Sequence, residues 1–473
     1  MRPNSRNSAI CVTRVSADIP ESSVFWTAQK HGQDWTDPDV QKASVWLQSF
    51  ADRADWPRRL DRAKANFLAA ADGWRIGEDR PLYDPSDTIA WFMLQADTYA
   101  TDRALIEPGT ASRIVGPLKR IGSRLDVLQT IEGVENRVRK LMLPASQTEN
   151  GLFELLVALA YRLHGWHTVS FVPEQPGVKR THEFNVTRQS ARWAVECKWM
   201  TLPDYAIRER TQAEALLAAV HTVARQRDRS ISIELDFLDE VSAVTPGEIK
   251  DMVETWLRTG SQRWETSRIR ARIATVDFSG ANALFAHGDR IYFGGSRMIE
   301  IMAGKPYDHD SQYSFRARWD EAPDRPRYAD AVHQCSIVRW RSVSDTAQRL
   351  KAKHFRQVVA KNIGQFPGDR PAVMHVGFDA TGGRNVQLRR DMENRAAMAT
   401  FDPRESRLRW VYGNFIAPEA TTQRNESAGT EESAAPYRVG RHRTAAPLPG
   451  VLLLSDVRPK RGGHWHFPPF RQR

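Results

Sequence analysis

Trp193-Ala194-Val195-Glu196-Cys197-Lys198-Trp199 and, a short way upstream, Thr181-His182-Glu183-Phe184-Asn185-Val186 each alternate apolar and polar residues. Read as strands of period 2, the first puts Trp193, Val195, Cys197 and Trp199 on one face and Glu196 and Lys198 on the other. In the second, Glu183 and Asn185 alternate with Phe184 and Val186. Two such strands side by side bring two carboxylates and an ammonium together on one face, with apolar side chains on the other. That group can hold a divalent cation beside a reactive water, the chemistry of a metal-dependent phosphodiesterase.

Upstream, Glu149 to His164 carries Leu152, Phe153, Leu155, Leu156, Leu159 and Leu163 at helical spacing and stops at Gly165. His167 to Val172 reads as a strand and Pro173 to Lys179 as a turn-rich stretch. Strands at 183–187 and 192–199 come next. After Pro203-Asp204 the pattern gives a helix from Ala206 to Gln226 and a strand from Ile231 to Phe237. The order is helix, three strands, helix, strand. A rival for the last pair lies at 345–363 (helix) and Pro371 to Phe378 (buried strand), which would make 203–340 an insertion; the sequence leaves both open. Ile249 to Leu257 reads as helix and Ile273 to Phe278 as strand, within an expected insertion around 240–340.

Residues 1–145 read as helical. Val45 to Phe50 and Ile89 to Leu94 have helical spacing, and a longer stripe runs through Ile114, Leu118, Ile121, Leu125, Leu128 and Ile131 before Gly133 interrupts it. This part is expected to be an all-helical N-terminal domain that binds a protein partner or positions nucleic acid. Residues 146–415 are then an α/β core. Residues 416–473 read as a flexible basic tail, because 418–446 is rich in Ala, Thr, Ser, Glu and Arg. Val451 to Leu454 reads as a strand that docks back.

A chain of 473 residues exceeds one ordinary core. Its formal charge of +11 suits a polyanionic partner. Cys11, Cys197 and Cys335 have no metal-ligand spacing and fit a reducing cytoplasm. No apolar run is long enough for a membrane span, and none follows Met1 to Arg6 as in a secretory leader. No Gly-x-x-x-x-Gly-Lys-Ser/Thr motif is present, so Gly382-Gly383 reads as a turn and no ATPase is expected. His464-Trp465-His466 offers two ligands, too few for a metal site, and His375 in its apolar run reads as a core histidine.

Residues 149–199 resemble the PD-(D/E)xK nuclease superfamily, the fold of many restriction endonucleases, Holliday-junction resolvases and repair nucleases. Glu154 stands where that family often places a supporting acid, Glu183 where it has the aspartate of Pro-Asp, and Glu196-Cys197-Lys198 matches its Glu-x-Lys. His182 replaces the proline, and Glu183 is one methylene longer than aspartate. The resemblance implies a mixed α/β fold: a restriction-endonuclease-like core with a central mixed sheet flanked by helices. It implies Mg²⁺, with Mn²⁺ as substitute, held by Glu183, Glu196 and the Cys197 backbone carbonyl. Lys198 would assist the attacking water, Glu154 would support the site, and the substrate would be DNA. His182, Arg208, Arg210 and Gln212 are the candidate nucleic-acid contacts. Homodimers are common in this class, and bacterial defence or DNA repair is the implied setting. Two other functions stay open: a catalytically inactive nucleic-acid-binding protein on the same fold, and an interaction protein working through its helical part. The plainer readings are a solvated Glu196–Lys198 pair, a surface Glu183, an exposed Glu154 and a core Cys197.

Overall fold

Two mixed β-sheets flanked by helices organise the chain in a computed structural model that describes residues 29–31, 37–75, 80–101, 103–173, 181–353, 355–424, 426–448 and 452–456. Cys11, the stretch 174–180, Val451, and His464, His466 and the other residues after 456 lie outside the described residues.

The chain enters through a short strand β1 (Gln29–His31) and the helices α1 (Pro38–Gln48), α2 (Trp56–Arg75), α3 (Thr88–Ala100), α4 (Pro108–Ser123), α5 (Leu125–Leu128) and α6 (Val134–Leu141). Asp37 and Asp87 start α1 and α3 by accepting first-turn N–H groups. Gly133, at φ 79°, ends the long apolar stripe and lets α6 set off in a new direction. Helix α7 (Thr148–Leu163) then leads into the meander β2 (Thr168–Phe171), β3 (Phe184–Arg188) and β4 (Ala191–Met200).

Next comes a large excursion: α8 (Asp204–Gln226), β5 (Ile231–Phe237), α9 (Pro246–Thr259), β6 (Arg263–Glu265), β7 (Ile269–Thr275), α10 (Ser279–Ala286), β8 (Ile291–Tyr292), α11 (Ser296–Ala303), β9 (Gln312–Glu321) and β10 (Tyr328–Ser342). The chain returns through α12 (Asp345–Ala352), α13 (Phe355–Asn362), β11 (Ala372–Asp379), α14 (Arg384–Ala399), β12 (Leu408–Ala420) and β13 (Ala428–Arg438).

The first sheet has the order β1-β13-β12-β11-β4-β3-β2. Strands β2, β3 and β4 are antiparallel, β4, β11 and β12 run parallel, and β13 and β1 close the far edge antiparallel. The excursion builds the second sheet, ordered β6-β7-β5-β10-β8 with β9 paired to β10. One face of β4 packs Val195 and Cys197 against α7 and the N-terminal helices in a single apolar cluster. Its other face packs Ala194 and Met200 with Phe355 and Val359 of α13 and Met398 of α14. Helix α7 rides close over the sheet at Gly377, where a Cβ would meet Trp199 at 2.7 Å and Phe153 at 2.8 Å.

Of the two strands the sequence leaves open as the neighbour of β4, it is β11 that continues the first sheet, in parallel register Cys197–His375, whereas β5 pairs with β7 and β10 in the other sheet. The insertion therefore opens at α8 rather than near residue 240. The N-terminal helices are not a separate domain. Ile89 to Met93 of α3 are all buried, a helix with no free face, and α4 lies on the sheet with the Thr430 hydroxyl donating to the Ser112 carbonyl at 2.8 Å. Nor is 418–446 a flexible tail. Strands β12 and β13 pair from Trp410–Arg438 to Ala420–Ala428, and α4 approaches β13 at Gly116, where a Cβ would meet the Thr430 hydroxyl at 2.7 Å. The buried Glu432 carboxylate accepts the Leu453 and Leu454 N–H groups at 2.7 and 2.8 Å, so residues 452–454 dock, but not as a strand. Among the described residues no helix is long and apolar enough to cross a membrane.

Candidate active site

The two faces of β4 separate by packing: Val195 and Cys197 join one apolar cluster, and Ala194 and Met200 the other, on the face of Glu196, which is buried with Lys198 half-buried beside it. Glu183 directly precedes β3; its N–H donates to the Val195 carbonyl at 3.0 Å, which sets it next to Glu196 across the ladder. Lys198 Nζ lies 2.5 Å from Glu196 Oε1 and 3.5 Å from Glu183 Oε1. One ammonium thus serves both carboxylates.

Glu154 comes from the other direction, on α7, and is fully buried. It joins the group through Arg137 of α6, whose guanidinium pairs with Glu154 and reaches Glu183 Oε2 at 2.6 Å. Asn150, one turn before Glu154, donates to Glu154 and accepts the Trp199 N–H at 2.8 Å. With its amide nitrogen turned toward the acids, Gln365 donates to both oxygens of Glu196 (3.1 and 3.2 Å) and to the Thr181 carbonyl at 3.2 Å. Arg137, Asn150 and Gln365 join the site from outside the sequence-predicted set. Only Asn150 had a local signal, its i,i+4 spacing to Glu154.

Electrostatics follow burial. Burial pushes the Glu154 carboxyl up to about 8, the charge of Glu183 adding to it and Arg137 opposing. Burial likewise pushes Glu196 up to about 8, with Lys198 opposing and Glu183 adding. For Lys198 burial works against the charge, but Glu196 and Glu183 outweigh it and the ammonium ends above its ordinary value. Cys197 is fully buried, and burial drives its thiol far up, as for a core cysteine.

The Cys197 backbone has a distinct setting. Ala194 N–H bonds the Pro371 carbonyl on the β11 side, so backbone groups at 195 and 197 face β3. The last β3–β4 pair is Phe184–Val195, and Cys197 lies past it. Among the described residues no three His, Cys, Asp or Glu side chains are gathered as a ready-made metal cage.

The candidate nucleic-acid contacts are not brought together. His182 is buried, its Nε2 is 2.9 Å from Asn185 Oδ1, and burial lowers its pKa. Arg208, Arg210 and Gln212 are exposed on α8 in the insertion, where Arg210 bonds Gln312 at 3.3 Å. His375 is a core histidine, stacked on Tyr412 and 3.1 Å from the Tyr161 hydroxyl.

Compared with protein-family models, with curated proteins and with solved structures, the chain shows no significant match.

Proposed function

We propose that this protein is a metal-dependent nuclease on a restriction-endonuclease-like core, hydrolysing phosphodiester bonds in DNA. The observation that carries the reading is the meeting of Glu154, Glu183, Glu196 and Lys198 from α7, the start of β3 and the middle of β4. The element order supports it as well: a helix, a three-strand meander, a helical return and a strand parallel to the third.

The donor set fits Mg²⁺. Glu183, Glu196 and the Cys197 carbonyl are all hard oxygens, on the side of β4 past the end of β3, and two of the three acids are buried where added positive charge is favoured. Bound there, the ion would supply Lewis acidity toward the scissile phosphate and a more acidic water. The chain's own residues do the rest. Lys198, held by Glu196, orients the attacking water and meets the negative charge that develops on the phosphate. Before metal binds, Arg137 ties Glu183 to Glu154, and Gln365 bonds Glu196. The net charge of +11 favours DNA as the partner, and the free, buried Cys197 and Cys335 suit a reducing cytoplasm.

A second reading rests on Arg137: its pairing with Glu154 and Glu183 could make the cluster a structural ion-pair network in a protein that binds DNA without cutting it. Supercoiled plasmid with Mg²⁺ or Mn²⁺ separates the two. Nicking lost with EDTA, with Glu196→Ala and with Lys198→Ala supports the nuclease. Salt-sensitive DNA binding by folded protein, indifferent to EDTA and without cleavage, supports the second.

A further inference from the structure

Three carboxylates, Glu154, Glu183 and Glu196, share two cationic partners in this site, Lys198 and Arg137. Lys198 belongs to the strand that carries Glu196. Arg137 does not: it comes from α6, earlier in the chain, and spans the two acids that Lys198 holds least, Glu154 on α7 and Glu183 at β3. A guanidinium is the side chain suited to that task, because its planar fork can bond two carboxylates at once. Only 14% of the Arg137 side chain is exposed, so the contacts are made largely away from water, where charge compensation matters most.

The backbone beneath Arg137 is fixed. Glu132 N–H bonds the Val169 carbonyl at 3.3 Å, and Phe171 N–H bonds the Glu132 carbonyl at 2.9 Å, pinning the start of α6 to β2. Val134, Val138 and Leu141 anchor the helix in the core. Arg137 can therefore leave the acids by rotation of its own side chain while the helix stays in place.

We infer that Arg137 is a built-in counter-ion, which holds Glu154 and Glu183 together in the metal-free protein and is displaced from Glu183 when a divalent cation binds. This rests on the nuclease reading of the site and extends it to how the site is kept assembled before metal arrives. A guanidinium and a divalent cation cannot both sit against the same carboxylate oxygens without strong repulsion, so each should weaken the other. The cost is lower metal affinity; the gain is a set of acids that stays assembled around a fixed cation when metal is scarce.

The test uses the full chain and Mn²⁺ alone as the probe. Titration calorimetry would be run on wild type, Arg137→Met and Arg137→Lys, with thermal melts in EDTA and in excess Mn²⁺. Arg137→Met keeps the length of the stem without its charge. It is expected to bind Mn²⁺ roughly tenfold or more tightly than wild type. It should melt lower than wild type in EDTA, with the gap closing in Mn²⁺. Arg137→Lys, which keeps the charge and loses the fork, should fall between them in both measurements. Unchanged or weaker Mn²⁺ binding by Arg137→Met, with wild type still binding, would overturn the inference and leave Arg137 as a structural support of a metal site. If neither wild type nor either variant binds Mn²⁺, the metal reading of the site falls and the counter-ion role falls with it. A variant that fails to fold in EDTA but folds in Mn²⁺ counts in favour.

Discussion

The Asn150 side-chain oxygen accepts the Trp199 N–H at 2.8 Å while its nitrogen donates to Glu154. One amide thus ties the helix that presents Glu154 to the strand residue next to Lys198. The site is therefore built across the α7–sheet interface, and the packing there, Phe153 edge-on to Trp199 at 5.6 Å, is part of its geometry.

Asn150→Ala removes both bonds, leaving Glu154 with one donor fewer and the Trp199 N–H without its acceptor. The expected loss is about 2 kcal/mol of unfolding free energy, read from urea transitions. Cleavage should drop at least about tenfold, because Glu154 and Lys198 lose their shared tether. Wild-type stability and activity in this variant would mean that the interface does not position the site.

The two raised carboxyls set a pH dependence. The unfolded chain releases these protons near 4.5, whereas Glu154 and Glu196 in the fold keep theirs to about 8. The folded state therefore binds more protons across that window, and its stability falls as pH rises from about 4.5 to about 8, then levels. Asp391 and Glu432 are raised by burial too and share the sign. The decisive quantity is thus a difference: melts in EDTA should show a shallower decline for Glu154→Gln and Glu196→Gln than for wild type. Identical slopes would place both carboxyls at ordinary values.

Local pattern revealed the site strands because period 2 alone assigns Glu196 and Lys198 to one face and Cys197 to the other. It also gave α7 and β5 nearly to the residue, since both are bounded by clear changes of pattern. It could not choose between β5 and β11 as the neighbour of β4: both are short buried strands after a helix, and only non-local pairing separates them. Strand β13 is hidden from local pattern for a related reason. Small residues such as Ala434 and Ala435 signal a linker by composition, yet here they are buried in a strand, with Thr430 set against α4. Arg137 had no signal at all. It reaches Glu183 only because Glu132 bridges to Ser170 and carries α6 to the edge of the sheet.

The N-terminal helices should prove inseparable from the sheet. A Cβ on Gly122 would lie 1.8 Å from the Asp39 carbonyl oxygen, where α4 crosses the start of α1. Gly122→Ala is expected to cost about 3 kcal/mol or more, because backbone rather than a side chain must move. A chain starting at residue 146 should be insoluble, having lost the helices that share its core. Soluble, cooperatively unfolding protein from that truncation would restore the separate-domain reading.

Under the nuclease reading Glu183 takes the place of an aspartate, and its surroundings are fitted to the longer side chain. Its Oε1 lies 3.5 Å from Lys198, and an aspartate would draw back from that ammonium. Glu183→Asp is therefore expected to slow plasmid cleavage about tenfold or more, since a displacement of about 1 Å at a reacting centre can cost that much. Glu183→Gln, which keeps the length and loses the charge, should bind Mn²⁺ less tightly and cleave still more slowly. Faster cleavage by Glu183→Asp would instead show that the glutamate is an impaired aspartate, and the reading of this protein as a DNA binder with a decayed site would gain.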